Sequence, residues 1–151
     1  MDQTKVILKG VCKGMGYFSL DSLLNFLLYI GTGFILILIG IVAFAFTTKI
    51  SEWNLIKEGN MAVALKLWGK VIGLGITLYT VWSSSVHILD AFIWGLIGIA
   101  TQVVVYLIIE YVLTPKTSLE KKVEEGNTAV GFSLFAVGIT VGLIIAGSLS
   151  Y

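Results

Sequence analysis

The sequence predicts an all-α fold, a four-helix transmembrane protein made of two parallel two-helix repeats, and two observations predict it. Hydrophobic residues make up 57% of the chain and charged residues 13%, against roughly 25% charged in a soluble domain. With a mean hydropathy of +0.96, 151 residues carry more apolar surface than a water-facing fold can hide, because small domains expose a large share of their side chains. The second observation is a string used twice. Glu58-Gly59-Asn60-Met61-Ala62-Val63 returns as Glu125-Gly126-Asn127-Thr128-Ala129-Val130, 67 residues later. The same offset sets Lys116 on Lys49, Ser118 on Ser51, Gly98 on Gly31, Ile108 on Ile41, Leu134 on Leu67 and Gly142 on Gly75. Self-similarity of this kind marks duplicated helix-loop-helix units.

A membrane helix needs about 20 mainly apolar residues. Four stretches qualify: Leu23 to Thr48, Met61 to Val86, Ile88 to Leu113, and Thr128 to Leu149. The chain therefore divides into an amino-terminal segment over residues 1–22, a first helix-pair repeat over 23–86 and a second over 88–151. Lys5, Lys9 and Lys13 alternate with apolar residues in the first segment, which suits the membrane interface, although Gly10, Gly14 and Gly16 oppose a long helix there. The first apolar run is longer than the roughly 7–15 residue core of a signal peptide, so it reads as a retained helix. Gly31, Gly33 and Gly40 within it allow close helix approach.

The loop after the first helix runs from Lys49 to Asn60, with Trp53 where an interfacial aromatic belongs. Asn60 and Asn127 precede membrane helices, where an Asn side chain accepts from free first-turn amides. Glu58 and Glu125 lie just outside the same helix starts, where negative charge is favourable. These capping roles explain the repeated string without a ligand. The competing reading is functional: duplicated carboxylate and amide groups that line a cation path, since such oxygens suit hard cations and protons.

Lys66 and Lys70 share one face of the second helix, roughly 8 and 14 Å inside its start at 1.5 Å per residue. Ser133 and Val137 occupy the matching places of the second repeat, so the function of the lysines belongs to one half. Glu110 lies about 8 Å before the Pro115 end of the third helix, at a depth similar to Lys66, and a Lys66–Glu110 contact is expected. Such a pair either neutralises charge within the bundle or takes part in an ion or proton path.

Ser83, Ser84, Ser85, His87 and Asp90 gather around the short second connection, on the opposite side. His87 alone can change charge near neutral pH. One histidine and one aspartate do not make a zinc site, and no base and orienter accompany the serines. Cys12 is the sole cysteine and has no metal-ligating company. No catalytic, cofactor-binding or metal residues are assigned. Thr101 and Gln102 in the third helix are expected to bond to another helix. Gly138 and Gly142 in the fourth give a small-xxx-small face that serves either dimerisation or packing on the second helix.

Lysines concentrate near the repeated loops: Lys49, Lys57, Lys66, Lys70, Lys116, Lys121 and Lys122. The positive-inside tendency puts those loops in the cytoplasm and both termini in the periplasm, with Lys5, Lys9 and Lys13 opposing. Each unit crosses twice, so the repeats share one orientation, unlike the inverted repeats of many transporters. A net charge of +1 and the lack of a basic aromatic tract argue against nucleic acid.

The duplicated helix pairs, with Glu58-Gly59-Asn60-x-Ala62 and Glu125-Gly126-Asn127-x-Ala129 before the even helices, resemble the DUF350 (UPF0719) family of small bacterial inner-membrane proteins. The resemblance implies a four-helix integral membrane protein and brings no activity or cofactor with it. Lys66 and Lys70 depart from the small, apolar character that the family has there. The function expected first is an oligomeric inner-membrane protein, in contact with membrane lipids and an envelope protein partner, that supports an envelope-associated assembly or response. The alternative is a cation channel or transporter using Glu58, Asn60, Glu125, Asn127, Lys66, Lys70 and Glu110. A membrane enzyme built on the serine, histidine and aspartate group is the remote third.

Overall fold

The computed structural model describes residues 19–47, 51–113 and 119–150, with the side chains of Glu110 and Leu113 outside that description. Cys12, the lysines of the amino-terminal segment, Lys49, Pro115 and Lys116 are likewise outside the described residues. So is most of the interfacial segment expected over 1–22, and its last residues, from Leu20 on, already belong to the first membrane helix. In order the helices are α1 (Leu20–Thr47), α2 (Glu52–Lys57), α3 (Met61–Ser84), α4 (Ile88–Leu113), α5 (Leu119–Glu124) and α6 (Thr128–Leu149). Four of them, α1, α3, α4 and α6, are long and apolar enough to cross a membrane.

The chain forms two compact units, 1–32 and 33–151, whose boundary falls within α1. In the first, the Ser22 amide donates to Ser19 Oγ at 3.1 Å and starts the helix. Thr32 Oγ1 donates to Leu28 O at 2.8 Å, so its hydroxyl is satisfied within its own helix.

In the second unit α3 is the most buried membrane helix. Its tightest neighbour is α6, and small residues set that distance. A Cβ on Gly131 would stand 2.6 Å from the Ala62 Cα, one on Gly69 2.5 Å from the Phe135 Cα, and one on Gly138 2.6 Å from the Gly69 carbonyl carbon. Gly73 and Gly142 touch backbone to backbone. Lipid tails are as apolar as leucine, so helices in a bilayer gain from such close van der Waals approach rather than from burial alone. Thr77 Oγ1 adds a hydrogen bond across the seam, donating to Gly142 O at 3.3 Å. The Gly138–Gly142 face is therefore occupied within the chain.

From Gly33 onward, α1 meets its neighbours through glycines that admit a side chain rather than a backbone, and α4 does likewise. Gly40 makes room for Leu74 and Gly33 for Trp82, while a Cβ on Gly98 would lie 2.8 Å from Thr77 Cγ2 and one on Gly95 2.7 Å from Leu36 Cδ1. Leu36, Leu74, Leu78 and Ile99 close the core between them. Near the loops, Ala62, Val63, Val123 and Leu134 form a second apolar cluster.

Two features differ from the sequence expectation. Both polar loops contain a helix of little more than one turn, α2 and α5, and the two helices stand at the 67-residue repeat offset. Six residues are too few for a periodic signal; what makes these turns helical is tertiary, because Leu55, Ile56, Leu119 and Val123 dock on the bundle. Helix α3 stops at Ser84 instead of Val86, since Ser85 takes extended backbone angles (φ −85°, ψ 137°) and lets the chain reverse into α4.

Candidate functional site

The repeated Glu-Gly-Asn string is a helix stop followed by a helix start. Gly59 and Gly126 have φ of +88° and +85°, a left-handed conformation that glycine adopts without steric cost. The Gly59 amide donates to Ile56 O at 3.0 Å and the Asn60 amide to Leu55 O at 2.9 Å, and Gly126 and Asn127 repeat this toward Val123 and Lys122. This is the Schellman arrangement, which satisfies carbonyls left open at the ends of α2 and α5. Asn60 Oδ1 then accepts from the Val63 amide at 3.1 Å, and Asn127 Oδ1 from Val130 at 3.2 Å, as helix caps. Asn60 does more than its mate: its Nδ2 donates to Val123 O at 3.1 Å and Glu124 O at 2.9 Å, tying the first repeat to the end of α5. Glu58 and Glu125 are exposed.

The charged groups that are buried lie elsewhere. Lys66 and Lys70 are 2% and 1% exposed, and the carboxylate that reaches them is Glu52, 7% exposed, at the first residue of α2. Glu52 Oε1 is 3.3 Å from Lys66 Nζ and 3.9 Å from Lys70 Nζ. Lys70 is also boxed by aromatic faces: its Nζ stands 4.4 Å from the Tyr106 ring centre and 5.2 Å from that of Phe44. The two rings meet edge to face at 6.1 Å. A desolvated ammonium over such rings gains about 2 kcal/mol, and four elements contribute to its surroundings: α1, α2, α3 and α4. Gln102 is fully buried and its Nε2 donates to Lys70 O at 3.1 Å. Its Oε1 has no hydrogen-bond partner among the described residues.

The structure thus brings Lys66 and Lys70 together as their spacing predicts, around an acid that sequence reasoning passed over. The expected Lys66–Glu110 contact involves a side chain outside the described residues; the partner described for Lys66 is Glu52. One signal in the sequence pointed to Glu52. It is charged where the second repeat has Leu119, in the same half that carries the two unmatched lysines.

On the opposite side, Ser84, Ser85 and Asp90 line a recess of about 60 Å³ together with Val81, Trp94 and Leu149. Ser83 turns away and donates to Thr80 O at 2.9 Å in its own helix. His87 is exposed and its carbonyl accepts from the Ala91 amide at 3.0 Å, opening α4. Among the described residues no group of three or more His, Cys, Asp and Glu side chains is placed to hold a metal.

Residues 17–149 match the family model described as Domain of Unknown Function (DUF350). The chain is 30% identical over 132 residues to the UPF0719 inner membrane protein YjfL of Escherichia coli K12, covering 87% of this chain and 98% of that protein. It is 26% identical over 135 residues to the UPF0719 transmembrane protein YshE of Bacillus subtilis 168, covering 89% of this chain and all of that protein. No solved structure matches it.

Proposed function

We propose, from the premise that this chain belongs to the DUF350 family of small bacterial inner-membrane proteins, that it takes up and releases protons at the Glu52–Lys66–Lys70 centre. The observation that carries this reading is an asymmetry in the duplication. One half of the protein buries three formal charges, where the other half has Leu119, Ser133 and Val137 at the equivalent places. Burying an ion costs several kcal/mol even after relaxation, and at the three equivalent places the second repeat builds the same helices with uncharged residues. Stability therefore does not call for these charges. Ionisable residues that face a bundle interior in the membrane mark ion or proton routes.

The composition of the centre favours a proton over a metal cation. Two ammonium groups already flank Glu52 Oε1 and repel any further cation that must approach within a few ångströms. A proton needs no ion to approach: it is relayed along hydrogen bonds, the O–H bond to Glu52 forming as the bond to its donor breaks, and it leaves to an acceptor when that bond breaks in turn.

The two halves are read as parallel two-helix repeats about an axis near the membrane normal. The shared offset supports this, as do contacts that ascend together along α3 and α6, Ala62 with Gly131, Gly69 with Gly138 and Gly73 with Gly142. The lysine excess supports a reading with the Glu-Gly-Asn loops in the cytoplasm and both termini in the periplasm.

The test is proton flux into reconstituted vesicles carrying an internal pH dye. Flux from the unmodified protein that is lost in Glu52→Gln and retained in Glu58→Gln and Glu125→Gln is the expected result. An unmodified protein with no flux under any imposed gradient, or a Glu52→Gln variant that conducts like its parent, overturns the proposal.

A second reading, an oligomer that supports an envelope assembly, rests on the outer face of α3. Trp68, Ile72 and Tyr79 are exposed there, and a Cβ added to Gly75 between them would meet nothing, leaving a notch that suits another helix. Disulfide crosslinking of Gly75→Cys in a Cys12→Ser background tests it. A monomer in lipid and in several mild detergents, with no crosslink, counts against it.

A further inference from the structure

Polar groups continue inward from the charged centre along one face of α3 and stop one turn short of the opposite recess. Gln102 lies beside Lys70, bonded to its carbonyl, with the amide oxygen unpartnered among the described residues. A Cβ on Gly73 would come within 2.9 Å of the Gln102 Nε2, which fixes the amide at the level between Lys70 and Thr77. The Thr77 hydroxyl follows, donating to Gly73 O at 3.1 Å and Gly142 O at 3.3 Å. Beyond it the next residues on that side are Thr80 and Val81, three and four positions on, and the Thr80 hydroxyl is taken up by Ile76 O at 3.2 Å in its own helix. Val81 is 2% exposed and yet lines the recess with Ser84, Ser85 and Asp90. From Thr77 to Val81 the helix rises about 6 Å. About one helical turn, with Val81 buried in it, separates the recess from the Thr77 hydroxyl.

Resting on the proton-handling reading, we infer that the Ser84–Ser85–Asp90 recess is the second port of the centre, and that Val81 is the apolar barrier between them. Its side chain offers no donor or acceptor, so a proton relayed inward from the recess meets its methyl groups before it reaches the Thr77 hydroxyl. This accounts for a group of polar residues that has neither metal-ligating nor catalytic geometry. It also gives the interior line two unlike ends: the carboxylate and lysines behind α2, and the hydroxyl and carboxylate oxygens behind Val81.

Val81→Thr tests the barrier, since threonine matches valine in shape and supplies the missing hydroxyl between Thr77 and Ser84. In reconstituted vesicles the variant is expected to raise proton flux by about tenfold, and Glu52→Gln in the same background to abolish the gain. A Val81→Thr protein with the flux of its parent overturns the port and barrier, and if Glu52→Gln still silences the parent, the proton-handling reading survives that failure. Flux in Val81→Thr that persists with Glu52→Gln shows a leak that bypasses the centre, and overturns the inference as well. Thiol labelling supplies a readout independent of flux. In Cys12→Ser vesicles, Val81→Cys should react with a small impermeant thiol reagent from the side of the α3–α4 turn and not from the loop side, and Thr77→Cys from neither. A Val81→Cys that is unreactive from the turn side overturns the port.

Discussion

Glu52→Gln keeps the size of the side chain and removes its charge. At an effective dielectric of about 20, carboxylate–ammonium separations of 3.3 and 3.9 Å correspond to gross attractions of ~5 and ~4 kcal/mol. Desolvation offsets much of that in the intact centre. In the variant the ammonium of Lys66, 2% exposed, loses its described counter-charge and stays buried, a situation that costs about 3–5 kcal/mol. Lys70 retains the faces of Phe44 and Tyr106, so the lower end of that range is expected. Removing both members of the closer pair tells the other half of the story. Glu52→Leu with Lys66→Met puts apolar side chains of similar volume in place of that pair and leaves Lys70 its aromatic faces, and it should be more stable than Glu52→Gln, because replacing both members of a buried pair costs less than removing one. Steric trapping in bicelles measures both equilibria. A Glu52→Gln protein as stable as its parent, or a double variant weaker than the single one, would refute the reasoning: in the first case the pair is not coupled, and in the second the charges hold the fold together and their asymmetry says nothing of function.

Three further outcomes follow from the geometry. Gly142→Ala should cost about 1–3 kcal/mol through overpacking against the Gly73 backbone, whereas its repeat mate Gly75→Ala, facing open space, should gain up to ~1 kcal/mol of helix propensity; the same unfolding assay reads the difference. Asn60→Ala should lose a cap worth about 1 kcal/mol and two cross-repeat hydrogen bonds at roughly 0.5–1.5 kcal/mol each, making it clearly more harmful than Asn127→Ala, and equal losses would show that the tie to α5 is weak. Gly59→Ala and Gly126→Ala should each cost about 1–2 kcal/mol, the penalty of a side chain at left-handed φ, in thermal unfolding by circular dichroism.

The membrane helices were legible because their signal is local. Apolar length finds them without knowledge of partners, and the starts at Met61, Ile88 and Thr128 and the ends at Leu113 and Leu149 fall where expected. The capping duty of Asn60 and Asn127 was legible for the same reason, since a cap binds amides a few residues along its own chain. Three-dimensional proximity decided the rest. Gly138 and Gly142 look identical in sequence whether they serve a dimer or an internal seam, and only the approach of Gly69 and Gly73 assigns them to the seam.

Sequence alone determined that this chain has four spans, a duplicated string and two lysines on one face of α3, because periodicity and composition are properties of short segments. Only the tertiary structure brought Glu52 to those lysines, carried there by a helix too short to announce itself and seated by the docking of Leu55 and Ile56. The side chain of Glu110, expected near Lys66 from its depth, lies outside the described residues. A buried charge takes the partner that the packing of neighbouring elements presents, and that packing is written across the whole chain rather than in the residues around the charge.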